Sequence, residues 1–248
     1  MLLNDLRDYI ASLLDVSRFR DYCPNGVQVQ GRAEVRRIAS GVTASQRLLE
    51  AATAWGADAV LVHHGYFWRN EDATITGIKK QRIAHLLRHD ISLLAYHLPL
   101  DAHIELGNNT QLGQRLGFVE RGRFGEQDIA CYGVLAQEQT LAQLTKNITD
   151  TLQRAPQVIG QGDHTIRRIA WCTGAAQGYF EEAVALGANA FLTGEISEQN
   201  VHVAHETGVA FIAAGHHATE RYGVQALGEH LAAHCGLEHR FFDMDNPV

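Results

Sequence analysis

The stretch that decides the fold is RRIASGVTASQRLLEAATAWGADAVLVHH at residues 36–64, because a second version, RRIAWCTGAAQGYFEEAVALGANAFLTGE, follows at residues 167–195. The two stretches align without gaps over 29 residues, and 13 of the pairs are identical. Chance would give about one or two identities, so we interpret the pair as an internal duplication.

Each copy has the pattern of a strand, a helix and a second strand. In the first copy, an apolar run at 38–42 precedes a helix expected from about residue 44 to Trp55, which Gly56 closes as a C-cap. The continuous apolar run at 59–62 is typical of a strand buried in a parallel sheet. The second copy repeats this pattern, ending in the strand 190–192. The sequence therefore predicts an α/β fold: two intertwined βαβ-containing structural repeats with a mostly parallel sheet.

Three regions follow from the duplication. Residues 1–110 form the first repeat region, 111–166 an intervening segment, and 167–248 the second repeat region. The intervening segment is more polar and has weaker periodicity, so only a helix near 140–153 is assigned there. We expect the metal site discussed below to lie between the two repeats.

Composition excludes several classes of protein. No apolar run approaches the roughly 18 residues that a membrane span needs. The first 14 residues carry charges inside an amphipathic helical pattern, which favours a folded helix over a signal peptide and hence a cytoplasmic protein. The net charge of −7 disfavours nucleic acid as a partner without excluding it, because a positively charged lumen would not show in the net charge. The four cysteines are widely spaced, which favours reduced thiols in or near the core.

Histidines and carboxylates follow the predicted strands. His63 and His64 end one strand, and the segments ISLLAYHLPLD and VAFIAAGHHATE place His97 and Asp101 in the positions of His216 and Glu220. In parallel α/β sheets functional groups gather at the carboxyl ends of strands. Imidazole and carboxylate ligands without thiolate suit two divalent ions of Zn, Fe, Mn, Co or Ni. The predicted metal ligands are His63, His64, Asp101, His216 and Glu220.

These residues can bind the same ion only under certain local geometries. Adjacent residues of a strand point to opposite sides, so His63 and His64 serve one ion only if the chain turns near Gly65; otherwise each takes a different ion. His216 and Glu220 share a helix face if a helix begins near Gly215. The histidine pairs 85/89, 202/205 and 230/234 lack the strand-end position and are interpreted as surface residues.

Several motifs carry a family resemblance: PNGVQVQG (24–31), GVTAS (41–45), GADAVLVHHG (56–65), HLPLDAHIELGNN (97–109), LTGE (192–195) and GHHATE (215–220). With them the chain resembles the YbgI-type dinuclear metal-binding family, the GTP cyclohydrolase 1 type 2 homologs. The resemblance implies the same five ligands, with the glutamate bridging two ions. It also implies a toroidal homohexamer whose metal sites face an internal cavity, and a GTP cyclohydrolase activity in some members.

The function predicted from these features is that of a metal-dependent hydrolase acting on a small-molecule nucleotide substrate. Glu195, at the position equivalent to His64, is a candidate general base or ligand orienter, and His97 and His217 are further catalytic candidates. Thr43 and Ser45 either contact an anion or cap the helix that follows. The alternative is a non-catalytic metal-binding protein with a regulatory or scaffold role, which a closed coordination shell would favour.

Overall fold

A computed structural model describes residues 1–248, which form two compact units. The first unit comprises residues 1–107 and 223–245, and the second comprises 108–222 and 246–248. The first unit is thus built from two separate stretches of the chain. No helix in either unit combines the length and the apolar character that a bilayer crossing requires.

The first unit contains a five-stranded sheet. Its strands are β1 (Gly26–Val29), β2 (Arg37–Thr43), β3 (Ala59–His64), β4 (Ser92–Ala95) and β11 (Glu238–Phe241), in the order β1-β4-β3-β2-β11. The four strands from β4 to β11 are parallel, and β1 pairs with β4 in the antiparallel sense. The helices are α1 (Leu3–Leu13), α2 (Gln46–Trp55), α3 (Gly77–Arg88), α4 (Leu98–Ala102) and most of α10 (Arg221–Cys235). A short 3₁₀ helix spans Val16–Arg18.

Both faces of the first sheet are covered, which explains the continuous apolar run in β3. Leu61 packs with side chains of α1 and α10, whereas Val60 and Val62 pack with side chains of α2 and α3. Successive strand residues point to opposite faces, so a strand with helices on both sides must be apolar at every position. The predicted end of α2 at Trp55 is confirmed, and Gly56 caps it at φ +79°. The helix begins at Gln46, two residues later than expected, because Ser45 is its N-cap and accepts a hydrogen bond from the Leu48 amide.

The second unit contains a six-stranded sheet in the order β5-β6-β8-β9-β10-β7. Its strands are β5 (Phe118–Phe124), β6 (Ala130–Thr140), β7 (Gln157–Ile159), β8 (Thr165–Trp171), β9 (Ala190–Thr193) and β10 (Ala210–Ala213). Strands β8, β9 and β10 are parallel, and the outer pairs are antiparallel. The helices are α5 (Asn108–Leu116), α6 (Leu141–Leu152), α7 (Phe180–Ala185), α8 (Glu198–Thr207) and α9 (His216–Thr219), with 3₁₀ turns at Glu126–Asp128 and Gln177–Tyr179.

The predicted fold class is confirmed, and the two copies of the repeat share one register. Ile38 pairs with Ala59 in the first sheet, and the equivalent Ile169 pairs with Ala190 in the second. Segment 111–166 supplies strands β5, β6 and β7 and helix α6 to the second unit. The region boundaries at residues 110 and 166 stay a prediction about where the repeats end.

The cysteines are free thiols at the expected kind of position. Cys23, Cys131 and Cys172 are buried and Cys235 is partly buried. Burial raises the pKa of the Cys131 thiol to about 12. A thiol with such a pKa stays protonated at neutral pH, so it behaves as a small apolar side chain.

Polar side chains at equivalent positions accept hydrogen bonds from the backbone in both repeats. Asp58 accepts hydrogen bonds from the amides of Arg36 (2.8 Å) and Arg37 (3.0 Å) through one carboxylate oxygen. Asn189, the equivalent residue, accepts from the amides of Arg167 (3.3 Å) and Arg168 (2.9 Å) through its side-chain oxygen. A single oxygen atom therefore has the same role in both copies.

This equivalence predicts how Asp58 tolerates substitution. Asp58→Asn keeps an oxygen for the two amides and loses only the partly exposed ion pair with Arg32, so it should cost no more than about 1 kcal/mol. Asp58→Ala leaves both amides without this acceptor and should cost about 2–3 kcal/mol. Urea denaturation of the two variants beside the parent measures both values. Equal destabilisation by asparagine and alanine would contradict the shared role.

Candidate metal centre

His63 and His64 end strand β3 in the first unit. His63 is fully buried and His64 is partly exposed. Their rings nevertheless approach each other, with centroids 4.6 Å apart. Gly65 follows them where the backbone passes closely: an added Cβ would overlap the Gln28 side chain and lie 2.7 Å from the Ala95 Cβ. Strand β3 ends at His64, and the close approach of the backbone at Gly65 requires glycine; whether the two histidines serve one ion or two stays a prediction.

The His63 ring is oriented by a backbone carbonyl. Its Nδ1 lies 3.0 Å from the carbonyl oxygen of Tyr96, which can only accept, so Nδ1 carries the proton. In the neutral ring, Nε2 then presents a lone pair, and it faces the Asp101 carboxylate at 3.4 Å. Both residues are buried. This donor set fits a divalent cation of the zinc type.

The His64 ring is held by the neighbouring strand. Thr43 is its register partner in β2, and the Thr43 hydroxyl lies 3.2 Å from His64 Nδ1. Of the two residues proposed to contact an anion or cap a helix, Ser45 caps α2 and Thr43 positions His64.

His97 is held by a carboxylate that the sequence reasoning missed. Asp21 Oδ1 lies 2.7 Å from His97 Nδ1, and the Asn25 side chain accepts a hydrogen bond from the His97 amide at 2.8 Å. Burial raises the pKa of Asp21, but the hydrogen bond and charge of His97 outweigh it and bring the pKa below its usual value. Asp21 lies three residues before the motif PNGVQVQG, which is the only sequence signal that pointed to this loop.

The second unit carries the other predicted ligands on one turn of helix. Helix α9 begins after Gly215, as required, and His216 Nε2 lies 3.1 Å from Glu220 Oε2. His216 Nδ1 lies 2.7 Å from Glu195 Oε1. A carboxylate on the far nitrogen of a histidine is the usual way in which proteins orient a metal-binding imidazole. His217 is buried beside this pair, and its amide donates to the Val248 carbonyl at 3.1 Å.

The backbone approaches the His216 and Glu220 side chains at Gly174. An added Cβ would overlap Glu220 Oε1 and lie 3.2 Å from His216 Nε2. Gly174 also has φ +70°, which favours glycine. The sequence reasoning did not single out this residue, although it occupies the position of Thr43 in the repeat.

Charge explains the titration of His216. Burial lowers its pKa, but the hydrogen bonds and charges of Glu220 and Glu195 outweigh burial and raise the pKa to about 9. Without a cation, the imidazolium form neutralises part of the charge of the two carboxylates. A metal ion on Nε2 would take over that role and displace the proton.

The metal-free protein should therefore lose stability at alkaline pH. The folded pKa of His216, about 9, exceeds its ordinary value of 6.5. The stabilisation is fully present below about pH 6.5 and is lost as the pH rises through about 9. After chelation, the melting temperature of the parent should fall more steeply between about pH 6 and pH 10 than that of His216→Gln. Parallel curves for the two proteins would show that His216 has no such role.

Other histidine pairs have local partners. His85 Nε2 lies 2.8 Å from the Thr53 hydroxyl. His230 Nε2 lies 2.7 Å from the Tyr9 hydroxyl, and His234 stacks on Tyr9. These contacts agree with the expectation that both pairs belong to the surface of the fold.

Comparison with known proteins identifies the family. The family model described as Duf34/NIF3 (NGG1p interacting factor 3) matches residues 1–247. A GTP cyclohydrolase 1 type 2 homolog from Pseudomonas aeruginosa is 56% identical, covering 95% of this chain and 94% of the relative. A GTP cyclohydrolase 1 type 2 homolog from Neisseria meningitidis serogroup B is 53% identical, covering 100% of both chains.

Solved structures agree with this assignment. The protein ybgI, described as of unknown function, matches with a TM-score of 0.96 and 44% identity over 100% of both chains. TTHA1606 from Thermus thermophilus matches with a TM-score of 0.91 and 31% identity over 100% of both chains. The resemblance read from the sequence motifs is confirmed, and the chain belongs to the Duf34/NIF3 family.

Proposed function

We propose that this chain binds two divalent metal ions through His63, His64, Asp101, His216 and Glu220 and acts as a metal-dependent hydrolase on a nucleotide. The observation that carries the proposal is the arrangement around His216, whose two ring nitrogens each face a carboxylate, Glu195 at 2.7 Å and Glu220 at 3.1 Å. Glu195 orients the imidazole through Nδ1, while Nε2 and the Glu220 carboxylate lie close enough to bind the same cation. This donor set is typical of catalytic metal sites.

The first unit supports the same reading independently. His63 Nε2 and Asp101 Oδ1 face each other at 3.4 Å while Nδ1 is held by a carbonyl. Glu220 is proposed as the bridging carboxylate, because a carboxylate has two oxygens and can bind two ions roughly 3.5–4 Å apart. The imidazole and carboxylate set accepts Zn, Fe, Mn, Co or Ni, and availability decides among them.

The residues around the ligands have proposed roles of their own. Two divalent ions supply, when bound, an activated water molecule and positive charge for an anionic substrate. Glu195 holds the His216 ring and is proposed as its orienting carboxylate or as a general base. His97, held by Asp21, and His217 are proposed to contact the substrate or donate a proton.

The substrate class rests on the relatives. Full-length relatives are named GTP cyclohydrolase 1 type 2 homologs, which favours a nucleotide substrate. The net charge of −7 fits an anionic substrate only if bound cations supply local positive charge. We also propose the homohexamer that the family resemblance implies and the cytoplasmic location that the sequence predicts.

The proposal is tested by comparing the parent with Glu220→Gln, with Glu229→Gln as the matched control. Glu229 is an exposed glutamate of α10. Purified proteins are assayed for metal content by plasma mass spectrometry and for hydrolysis of GTP and other nucleotides. The parent and the control should hold two ions per chain and turn over a nucleotide. Glu220→Gln should lose at least one ion and more than roughly 100-fold in activity, since disturbing a mere outer partner already costs about 10–100-fold.

The outcomes separate the candidate functions. A parent with two ions and no turnover of any nucleotide would favour the non-catalytic regulatory or scaffold alternative, which the family description as an interacting factor also suggests. A Glu220→Gln variant with both ions and full activity would refute the bridging role of Glu220. A parent without bound metal would refute the metal-centre proposal itself.

A further inference from the structure

The first repeat contains a long loop, residues 65–76, where the second repeat has only a short connection. In the second repeat, α8 begins at Glu198, shortly after Glu195. In the first repeat, α3 begins only at Gly77, although His64 is the residue equivalent to Glu195. Because the second repeat forms its βαβ unit without such an insertion, the fold does not require it, and this insertion loop has another role.

The insertion loop brings an aromatic ring to the proposed metal ligands. The centroid of the Trp68 ring lies 5.9 Å from that of His64 and 4.9 Å from that of His97. The Trp68 and His97 rings are nearly perpendicular, at 86°. An edge-to-face contact of this kind covers at most one face of the indole, and Trp68 is partly exposed. An indole face is therefore present beside a proposed ligand.

Trp68 is held through its backbone and through its ring. Its amide donates a hydrogen bond to Glu71 Oε2 at 3.0 Å, and its indole Nε1 donates to the Gly65 carbonyl at 3.2 Å. Glu71 also forms an ion pair with Lys79 of α3 at 2.9 Å. A ring that is already fixed loses little conformational freedom when a ligand binds to it, so its position is suited to recognition.

The two neighbours of Trp68 constrain the loop further. Phe67 has φ +65°, which is uncommon for a large side chain, and strained residues of this kind are concentrated at binding and catalytic sites. The Arg69 amide donates to the Tyr22 carbonyl at 2.6 Å, and its guanidinium donates to the Asp21 carbonyl at 2.9 Å while lying over the Tyr22 ring. The insertion loop is therefore fastened to the segment that holds His97.

We propose that Trp68 binds the substrate by stacking on a flat heterocyclic ring beside the metal ligands, and so determines the specificity of the site for compounds that carry such a ring. Aromatic side chains stack on every base, because every base has a π-face. The inference rests on the function proposed above, since the metal centre defines where the substrate reacts. It goes further by assigning the residue that recognises the ring.

The test compares two probes that share a phosphate and differ in the ring. Guanosine 5′-monophosphate carries a purine, and ribose 5-phosphate does not. Both are titrated by calorimetry into the full chain loaded with Zn²⁺. The parent should bind guanosine 5′-monophosphate about 5–100-fold more tightly than ribose 5-phosphate, which is the usual contribution of one stacked base.

Substitutions at Trp68 separate stacking from simple packing. Trp68→Leu keeps an apolar side chain without a π-face, so the preference for the purine should fall below about 3-fold. Trp68→Phe keeps a stacking ring and should retain most of the preference. Trp55→Phe is the matched control, because Trp55 is a partly exposed tryptophan of α2 that packs against Phe242, and it should leave the preference unchanged.

Fluorescence identifies the tryptophan that contacts the ring. Guanosine 5′-monophosphate should quench the fluorescence of the parent and of Trp55→Phe, whereas the quenching should disappear in Trp68→Phe even though the affinity remains. Metal content is measured for every variant and should match that of the parent, because Trp68 offers no ligand atom.

Three results would overturn the inference. They are equal affinity of the parent for both probes, an undiminished purine preference in Trp68→Leu, and loss of bound ions from both Trp68 variants, which would show that Trp68 acts by packing against His97. None of these results depends on turnover. A parent that prefers the purine and hydrolyses no nucleotide would instead refute the proposed hydrolase and leave the role of Trp68 intact.

Discussion

Replacing Gly174 with alanine is expected to disrupt metal binding by the second unit, although Gly174 offers no ligand atom. The residue has φ +70°, a conformation that costs an L-residue with a side chain about 1–2 kcal/mol. The new Cβ would also overlap Glu220 Oε1 and lie 3.2 Å from His216 Nε2. Metal–ligand bonds tolerate errors of only about 0.2 Å, so a displaced carboxylate ceases to be a ligand.

The measurement is metal content after dialysis against buffered Zn²⁺, together with the melting temperature. Gly174→Ala should retain at most one of the two ions and melt several degrees below the parent, by about 2–4 °C per kcal/mol for a chain of this size. Gly178→Ala is the matched control, because Gly178 is exposed and nothing lies within 4 Å of an added Cβ there. Two retained ions in Gly174→Ala would contradict the placement of Glu220 as a ligand.

Trp171→Ala is expected to produce the largest loss of stability. Trp171 is 1% exposed, and its ring packs against Phe118 at a centroid distance of 5.2 Å. It also fits closely against Gly113 of α5, where an added Cβ would lie 2.8 Å from the ring. Removing a buried aromatic side chain of this size costs about 3–5 kcal/mol, because the cavity cannot close completely.

The indole nitrogen contributes separately. Trp171 Nε1 donates to the Asn109 carbonyl at 2.8 Å, and the Asn109 side chain in turn accepts from the Thr173 amide, next to Gly174. Trp171→Phe keeps most of the ring contacts and loses this bond, so it should cost less than alanine, about 1–3 kcal/mol. Urea denaturation followed by far-UV circular dichroism compares the three proteins. Equal urea midpoints for Trp171→Phe and Trp171→Ala would contradict the expectation that packing of the ring contributes most of the stabilisation.

The repeat made the centre of the fold predictable. Apolar runs of strand length on either side of an amphipathic helix specify a βαβ unit, and both copies form one with the same register, Ile38 on Ala59 and Ile169 on Ala190. The turn that joins His216 to Glu220 followed from helix spacing alone. These features depend on residues close in sequence, so local patterns are sufficient to predict them.

Contacts between distant residues were not predictable in this way. Asp21 and His97 are 76 positions apart, and no repeat or spacing links them. The strands of segment 111–166 were not predicted either. Its long strand β6 pairs with β8, and the pairing is irregular between Val134 and Gln139. Such an irregularity interrupts the alternation of apolar and polar residues by which a strand is recognised. Gly174 was not predicted, because its importance depends on the Glu220 and His216 atoms packed against it, and the sequence alone does not show that packing.

The return of α10 and β11 to the first unit has a consequence for synthesis of the chain. Val224, Leu227 and Leu231 fill the core beneath α1, and β11 completes the sheet beside β2. Residues 1–107 therefore cannot complete their core until residues 223–245 have been synthesised. Until then the apolar residues that α10 covers in the folded unit are exposed, and transiently exposed apolar surface of this kind favours aggregation.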